Sequence, residues 1–122
     1  MNERILVVDD EPEIVRVLRG YLEQANYTVL TASSGPEALR RARTEAPDLI
    51  LLDVMLPGMD GIDVAYVLRN HESTKGSPII FVTAIFSRRQ VGASEYQIGE
   101  NCFLFKPITF NQVLREIGAK LG

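Results

Sequence analysis

Five residues of this 122-residue chain combine a reactive side chain with a suggestive position: Asp9, Asp10, Asp53, Thr83 and Lys106. Each ends or directly follows a short apolar run: Ile5-Leu6-Val7-Val8 before the acid pair, Leu49 to Leu52 before Asp53, Ile79 to Val82 before Thr83, and Phe103-Leu104-Phe105 before Lys106. Three carboxylates brought together repel, and in a partly buried cleft their pKa values rise unless a positive charge is supplied. Oxygen ligands with no His or Cys nearby suit a hard cation. A site with few protein carboxylates, open to water and phosphate oxygens, suits Mg²⁺ better than Ca²⁺. The single histidine, His71, lies in a polar helix-end region away from these residues. Lys106 adds a second positive charge on the opposite side, so a dianionic phosphoryl group fits between metal and ammonium, and the Thr83 hydroxyl can donate to one of its oxygens. With a carboxylate nucleophile present, the chemistry is phosphoryl transfer onto an aspartate, giving an acyl phosphate. Asp53 is the nucleophile candidate, a single carboxylate at the tip of a central strand, whereas Asp9 and Asp10 form a pair suited to a metal.

Each residue taken singly has an ordinary explanation: Asp-Asp as a solvated turn, Asp53 as a helix cap, Thr-Ala and Lys-Pro as loop dipeptides. Their shared placement is what needs explaining, and the elements supply it. Ile5 to Val8, Tyr27 to Ala32, Asp48 to Leu52, Pro78 to Thr83 and Cys102 to Phe105 read as strands. Between and after them, Pro12 to Ala25, Gly35 to Thr44, Asp60 to Asn70, a weaker stretch Arg88 to Ile98, and Phe110 to Leu121 read as helices. Gly92 and Ser94 make the fourth helix marginal. Five strand–helix units predict a doubly wound α/β sandwich, five parallel strands with five helices on both faces. Ligands of such folds sit beyond the carboxyl ends of the strands, where the strand order reverses. That edge collects all five residues.

Composition narrows the function further. Hydrophobic residues make up 46% and charged residues 24%, enough apolar material for one core in a single domain over residues 1–122. The net charge of −3 gives no electrostatic footprint for direct nucleic-acid binding. Cys102, alone, cannot form an internal disulfide, and Ile5 to Val8 is too short for a signal peptide or a membrane span, so a cytoplasmic location without membrane contact is expected.

The pattern resembles the receiver domain of bacterial two-component response regulators over essentially the whole chain. The resemblance is carried by Ile5-Leu6-Val7-Val8-Asp9-Asp10-Glu11, by Asp48 through Asp53 to Met55-Leu56-Pro57-Gly58-Met59-Asp60-Gly61, by Phe81-Val82-Thr83-Ala84, and by Phe103-Leu104-Phe105-Lys106-Pro107. It implies the flavodoxin-like strand order 2-1-3-4-5, with Asp53 as phosphoacceptor. Asp10 would be a direct Mg²⁺ ligand, Asp9 a ligand directly or through water, and the Met55 backbone carbonyl would complete the protein share of the metal shell. Thr83 would bond the phosphoryl group, Lys106 would pair with it, and Phe103 would be the switch aromatic whose rotamer follows Thr83. Such a domain takes its phosphoryl group from a phosphohistidine of a sensor kinase or a histidine phosphotransfer protein. It then signals to a downstream target or output domain through the face made by helix four, strand five and helix five, as a monomer or a phosphorylation-dependent dimer. It is not a dedicated enzyme, although it catalyses its own phosphorylation and slow dephosphorylation.

Phe103 stands where most members carry Tyr, so its inward state is favoured by burial alone. Met55 and Ile85 flank the line of a hydrolytic water and cannot orient one, which predicts a persistent phosphoryl group. Asp60 is expected to cap the helix after the Pro57–Gly61 turn. Ile14 and Val15 on helix one, with Pro107 and Ile108, form the expected kinase-docking patch. Alternatives from other classes are an N-terminal receiver module of a larger regulator with a DNA-binding or enzymatic output domain, a small haloacid dehalogenase-like phosphatase, and a partner-binding pseudo-receiver. The phosphatase is disfavoured because strand one ends Asp9-Asp10-Glu11 rather than Asp-x-Asp; the pseudo-receiver, because Asp10, Asp53, Thr83 and Lys106 form a complete set.

Overall fold

The computed structural model describes residues 2–84, 95–98 and 101–121. In chain order these form β1 (Arg4–Val8), α1 (Pro12–Gln24), β2 (Thr28–Ala32), α2 (Gly35–Glu45), β3 (Leu49–Asp53), α3 (Gly61–Arg69), β4 (Ile79–Thr83), β5 (Glu95–Ile98), β6 (Asn101–Phe105) and α4 (Phe110–Leu121). One sheet in the order β2-β1-β3-β4-β6-β5 joins all six strands. Every pairing from β2 to β6 is parallel, so the expected five-stranded parallel sheet is present. Its order reverses at β1, which lies between β2 and β3. Nearly continuous apolar strands suit this sheet because both of its faces are covered. On one face Leu6, Ile50, Leu52, Phe81, Phe103 and Phe105 pack against Ala38 and Ala42 of α2 and Val64, Ala65 and Leu68 of α3. On the other, Ile5, Val7, Leu49, Leu51, Ile80, Val82 and Leu104 pack against Leu18 and Leu22 of α1 and Val113 and Ile117 of α4. Tyr21 meets Phe110 edge-on at 5.4 Å and ties α1 to α4.

Local signals set the helix ends. Pro12 opens α1, where a missing N–H costs nothing. Ser34 caps α2, its hydroxyl accepting from the Glu37 N–H, while Glu37 Oε1 accepts from the Ser33 N–H at 2.7 Å. Asp60 caps α3 as expected, accepting from the Asp63 N–H. Before α4, Thr109 Oγ1 accepts from the Gln112 N–H and Gln112 Oε1 accepts from the Thr109 N–H, a reciprocal capping box.

One expectation fails. The helix predicted over Arg88–Ile98 does not reach its C-terminal end: Glu95–Ile98 is a strand, antiparallel to β6 in the register Glu95↔Leu104, Tyr96↔Phe103, Gln97↔Cys102, Ile98↔Asn101. Residues 88–94 lie outside the described residues, and four helices, two per face, are found among the described ones. Tyr96 and Ile98 are strand-favouring types. Only Gly99 and Glu100 separate the segment from β6 in sequence, a spacing that permits an antiparallel partner and no parallel crossover.

Candidate functional site

The β1/β3 reversal brings the acid residues to one edge of the sheet, the place where such folds bind ligands. Asp9 leaves the end of β1 with its N–H bonded to the Ala32 carbonyl of β2, and Asp53 is the last residue of β3. Both are 2% exposed. Their carboxylates are oriented from the backbone: Asp9 Oδ1 accepts from the Glu11 N–H at 2.9 Å, and Asp53 Oδ1 accepts from the Met55 N–H at 3.1 Å. Asp9, Asp10, Glu11 and Asp53 each offer an oxygen within 4.8 Å of the others, a cluster able to hold a cation.

Lys106 enters from the end of β6, its N–H bonded to the Thr83 carbonyl at 2.9 Å. Its Nζ lies 2.9 Å from Asp9 Oδ2, 3.1 Å from Glu11 Oε1 and 3.3 Å from Asp53 Oδ2. The ammonium therefore sits among the acids rather than opposite them as expected, drawn in by converging carboxylates at short range in a poorly solvated pocket. The contact with Asp9 is an ion pair without hydrogen-bond alignment, since Asp9 Oδ2 is buried and accepts no hydrogen bond. Burial alone would lower the Lys106 pKa, but the Asp9, Glu11 and Asp53 carboxylates more than reverse it, and the ammonium is held well above its ordinary range. Burial pushes the Asp53 carboxyl up, and the Asp9 charge adds to this; the Met55 N–H and Lys106 oppose it in part.

Asp10 is exposed, with no side-chain hydrogen bond or ion pair to another described residue. The hard oxygen donors, the orphaned Asp9 Oδ2 and the open Asp10 carboxylate fit a small divalent cation. Glu11 was not among the expected site residues, although it directly follows the acid pair in sequence; its membership becomes visible only through Lys106.

Thr83 ends β4 fully buried. The register Phe81↔Phe103 and Thr83↔Phe105 puts these four residues on one face of the sheet. Phe103 is 8% exposed and stacks on Phe81, ring centroids 5.0 Å apart, so the switch candidate occupies its inward position. Met55 is 61% exposed beside the site; Ile85, its expected counterpart, lies outside the described residues. The docking candidates separate. Ile14, Pro107 and Ile108 line a cleft of about 160 Å³ together with Val17, Leu18 and Lys106. Val15 instead lines a cleft of about 380 Å³ on the other side of α1, with Asp9, Asp10, Arg16 and Arg19. Val17, three residues from Ile14, shares its helix face, whereas Val15 is turned about 100° away.

Comparison with known proteins agrees with this arrangement. Residues 5–118 match the response regulator receiver domain family. The chain is 55% identical over 84 residues, 69% of its length, to the alkaline phosphatase synthesis transcriptional regulatory protein PhoP of Bacillus subtilis, covering 34% of that protein. It is 44% identical over 108 residues, 88% of its length, to the response regulator PleD of Caulobacter vibrioides, covering 24% of it. It is 39% identical over 122 residues, 99% of its length, to the transcriptional regulatory protein SrrA of Staphylococcus aureus, covering 48% of it. The chain thus spans between a quarter and a half of the length of these relatives. Among solved structures it resembles the chemotaxis response regulator CheY4 of Vibrio cholerae, with a TM-score of 0.83 at 29% identity, covering 99% of this chain and all of that one. With its acids, threonine and lysine gathered at the β1/β3 edge and nearly its whole length matched, the chain belongs to the response regulator receiver domains, phosphorylation-dependent signalling switches.

Proposed function

We propose that Asp53 is the phosphoacceptor of this receiver domain, which comprises residues 1–122. The observation that carries the reading is the setting of its carboxylate: buried at the tip of β3, fixed by the Met55 N–H, and 3.3 Å from the Lys106 ammonium. An Asp53 oxygen attacks the phosphorus of a phosphohistidine on a sensor kinase or histidine phosphotransfer protein. The new O–P bond forms as the P–N bond breaks, and the leaving imidazole takes up a proton. Asp9, Asp10 and Asp53, with the Met55 backbone carbonyl, would hold Mg²⁺, which when bound neutralises charge on the transferring phosphoryl oxygens. Lys106 supplies the protein's own positive charge to the same oxygens. The Thr83 hydroxyl binds one of them and Phe103 follows it, so that a covalent charge biases a two-state equilibrium. The protein is the substrate of its own catalysis rather than a dedicated enzyme.

A cytoplasmic site of action is part of the proposal; no helix among the described residues is long and apolar enough to cross a membrane. The coverage of a quarter to a half of PhoP, PleD and SrrA supports a second form of the reading, a receiver module controlling an output domain of a larger regulator. In both forms the cleft formed by Ile14, Val17, Pro107 and Ile108 beside Lys106 is the docking surface for the kinase. The test is incubation with Mg²⁺ and a small acyl phosphate, followed by intact mass. One added phosphoryl group is expected, lost in Asp53→Asn; no addition, or addition surviving that change, refutes the assignment.

A further inference from the structure

The Lys106 ammonium has three N–H donors, and three carboxylates surround it: Asp9 at 2.9 Å, Glu11 at 3.1 Å and Asp53 at 3.3 Å. A phosphoryl group arriving at Asp53 therefore meets a cation already paired with three acids, hydrogen-bonded to Glu11 and Asp53 and in ion-pair contact with Asp9. Phosphorylation converts the Asp53 carboxylate into an acyl phosphate, so the carboxylates that still compete with the phosphoryl oxygens for Lys106 are Asp9 and Glu11, and the two differ in what withdrawal costs. The Asp9 side chain is 2% exposed and held at Oδ1 by the Glu11 N–H, and a buried carboxylate deprived of its counter-charge is strongly disfavoured. The Glu11 side chain is 60% exposed and can swing into water. It does not cap the helix it precedes: Glu11 is the residue before α1, yet its side chain makes no capping hydrogen bond, and its remaining candidate task is a place in the cation-holding cluster.

We propose that Glu11 is a positioning residue for Lys106, holding the ammonium among the acids and surrendering it when a phosphoryl group occupies Asp53, so that its carboxylate opposes the phosphorylated state. The inference rests on Asp53 as acceptor and deepens that reading. Two effects point the same way. Lys106 exchanges an existing ion pair for the phosphoryl oxygens, and a Glu11 carboxylate left in place would repel the incoming dianion. Removing the Glu11 charge while keeping its shape should relieve both.

The test compares the parent chain with Glu11→Gln, and with Glu11→Ala as a second variant. Beryllofluoride, a non-covalent phosphoryl mimic, is titrated in saturating Mg²⁺, and the rate of phosphorylation by acetyl phosphate is followed by intact mass. Both variants should bind the mimic more tightly and react faster, by up to about fivefold, the equivalent of an exposed ion pair. The ¹⁵N resonance of Lys106 Nζ should differ between parent and Glu11→Gln in the free protein and coincide once the mimic is bound, a response that a purely structural role would not give. Unchanged or weaker mimic binding in the variants overturns the inference, as does a loss of Mg²⁺ affinity large enough to show that Glu11 holds the metal. A parent chain that takes neither the mimic nor the phosphoryl group refutes the Asp53 assignment itself, and the inference falls with it.

Discussion

Replacing Gly61 with alanine drives a methyl group into the backbone that carries Asp53. A Cβ at this position would stand 2.1 Å from the Asp53 carbonyl oxygen, 2.8 Å from Val54 Cα and 2.9 Å from the Asp53 carbonyl carbon. Ordinary contacts begin at 3.4 Å, so α3 has to retreat from β3 by about 1.3 Å at its first residue. The retreat strains or breaks the 2.7 Å hydrogen bond from the Gly61 N–H to the Val54 carbonyl, a loss of about 1 kcal/mol. Overpacking adds about 1–3 kcal/mol, offset by less than about 1 kcal/mol of reduced unfolded-state entropy. The net expectation is about 2–3 kcal/mol of destabilisation, or a fall in Tm of roughly 10 °C for a domain of this size. Gly20→Ala is the matched control: it lies within α1 with nothing inside 4 Å of its added methyl, and should raise Tm by a few degrees, corresponding to about 0.5–1 kcal/mol. Thermal unfolding followed by circular dichroism reads both. Because the clash falls on Asp53 itself, Gly61→Ala should also weaken Mg²⁺ binding, measured by titration calorimetry. A Gly61→Ala protein melting within about 2 °C of the parent, while Gly20→Ala gains stability, would refute the reasoning.

Lys106→Met leaves the buried Asp9 and Asp53 carboxylates without their ammonium, and should cost about 3 kcal/mol in urea unfolding; saturating Mg²⁺ should return more stability to this variant than to the parent, and equal recovery in both would argue against the metal site. Glu37 is held below its ordinary pKa of 4.5 chiefly by the Ser33 backbone N–H. Its ionised form is thus favoured by folding, so the contribution is complete above the unfolded pKa and disappears as pH falls through the lower folded value. The gap in urea midpoint between parent and Glu37→Gln should accordingly be constant near neutrality and shrink below about pH 4.5; a gap independent of pH would contradict this. The buried Thr74 hydroxyl donates to the Leu68 carbonyl at 2.7 Å, and Thr74→Val keeps the size of the side chain while leaving that oxygen with backbone donors alone, among them the His71 N–H at 3.4 Å. A loss of about 1 kcal/mol is expected, and an unchanged Tm would show the bond to be dispensable.

How much of this was readable without coordinates depended on whether the signal was local. The five parallel strands were legible because strands buried on both faces must be apolar throughout, and Ile5–Val8, Leu49–Leu52 and Ile79–Val82 are. Asp9, Asp53, Thr83 and Lys106 followed from their positions at strand ends, and Asp60 from its place before a helix. What escaped depended on partners distant in sequence. Glu95–Ile98 has its strand character fixed by pairing with β6, which competes with any helical preference of the segment. Glu11 looks like another acid in a turn until Lys106, 95 residues later, closes on it. Val15 and Val17 are equally apolar in sequence, and only the packing of α1 decides which of them joins Pro107 and Ile108.

The parallel sheet also acts as a partition. Ile14, Leu18 and Ile108, next to the proposed docking cleft, belong to the core shared by α1 and α4. The Phe81–Phe103 stack belongs to the opposite core, under α2 and α3. Among the described residues the two sets fall in separate clusters on opposite faces of the sheet, so substitutions that retune one should leave the other's packing intact and add independently. On the proposed reading, the cleft that receives the kinase and the Phe81–Phe103 stack can therefore change separately, because they lie on opposite sides of one wall.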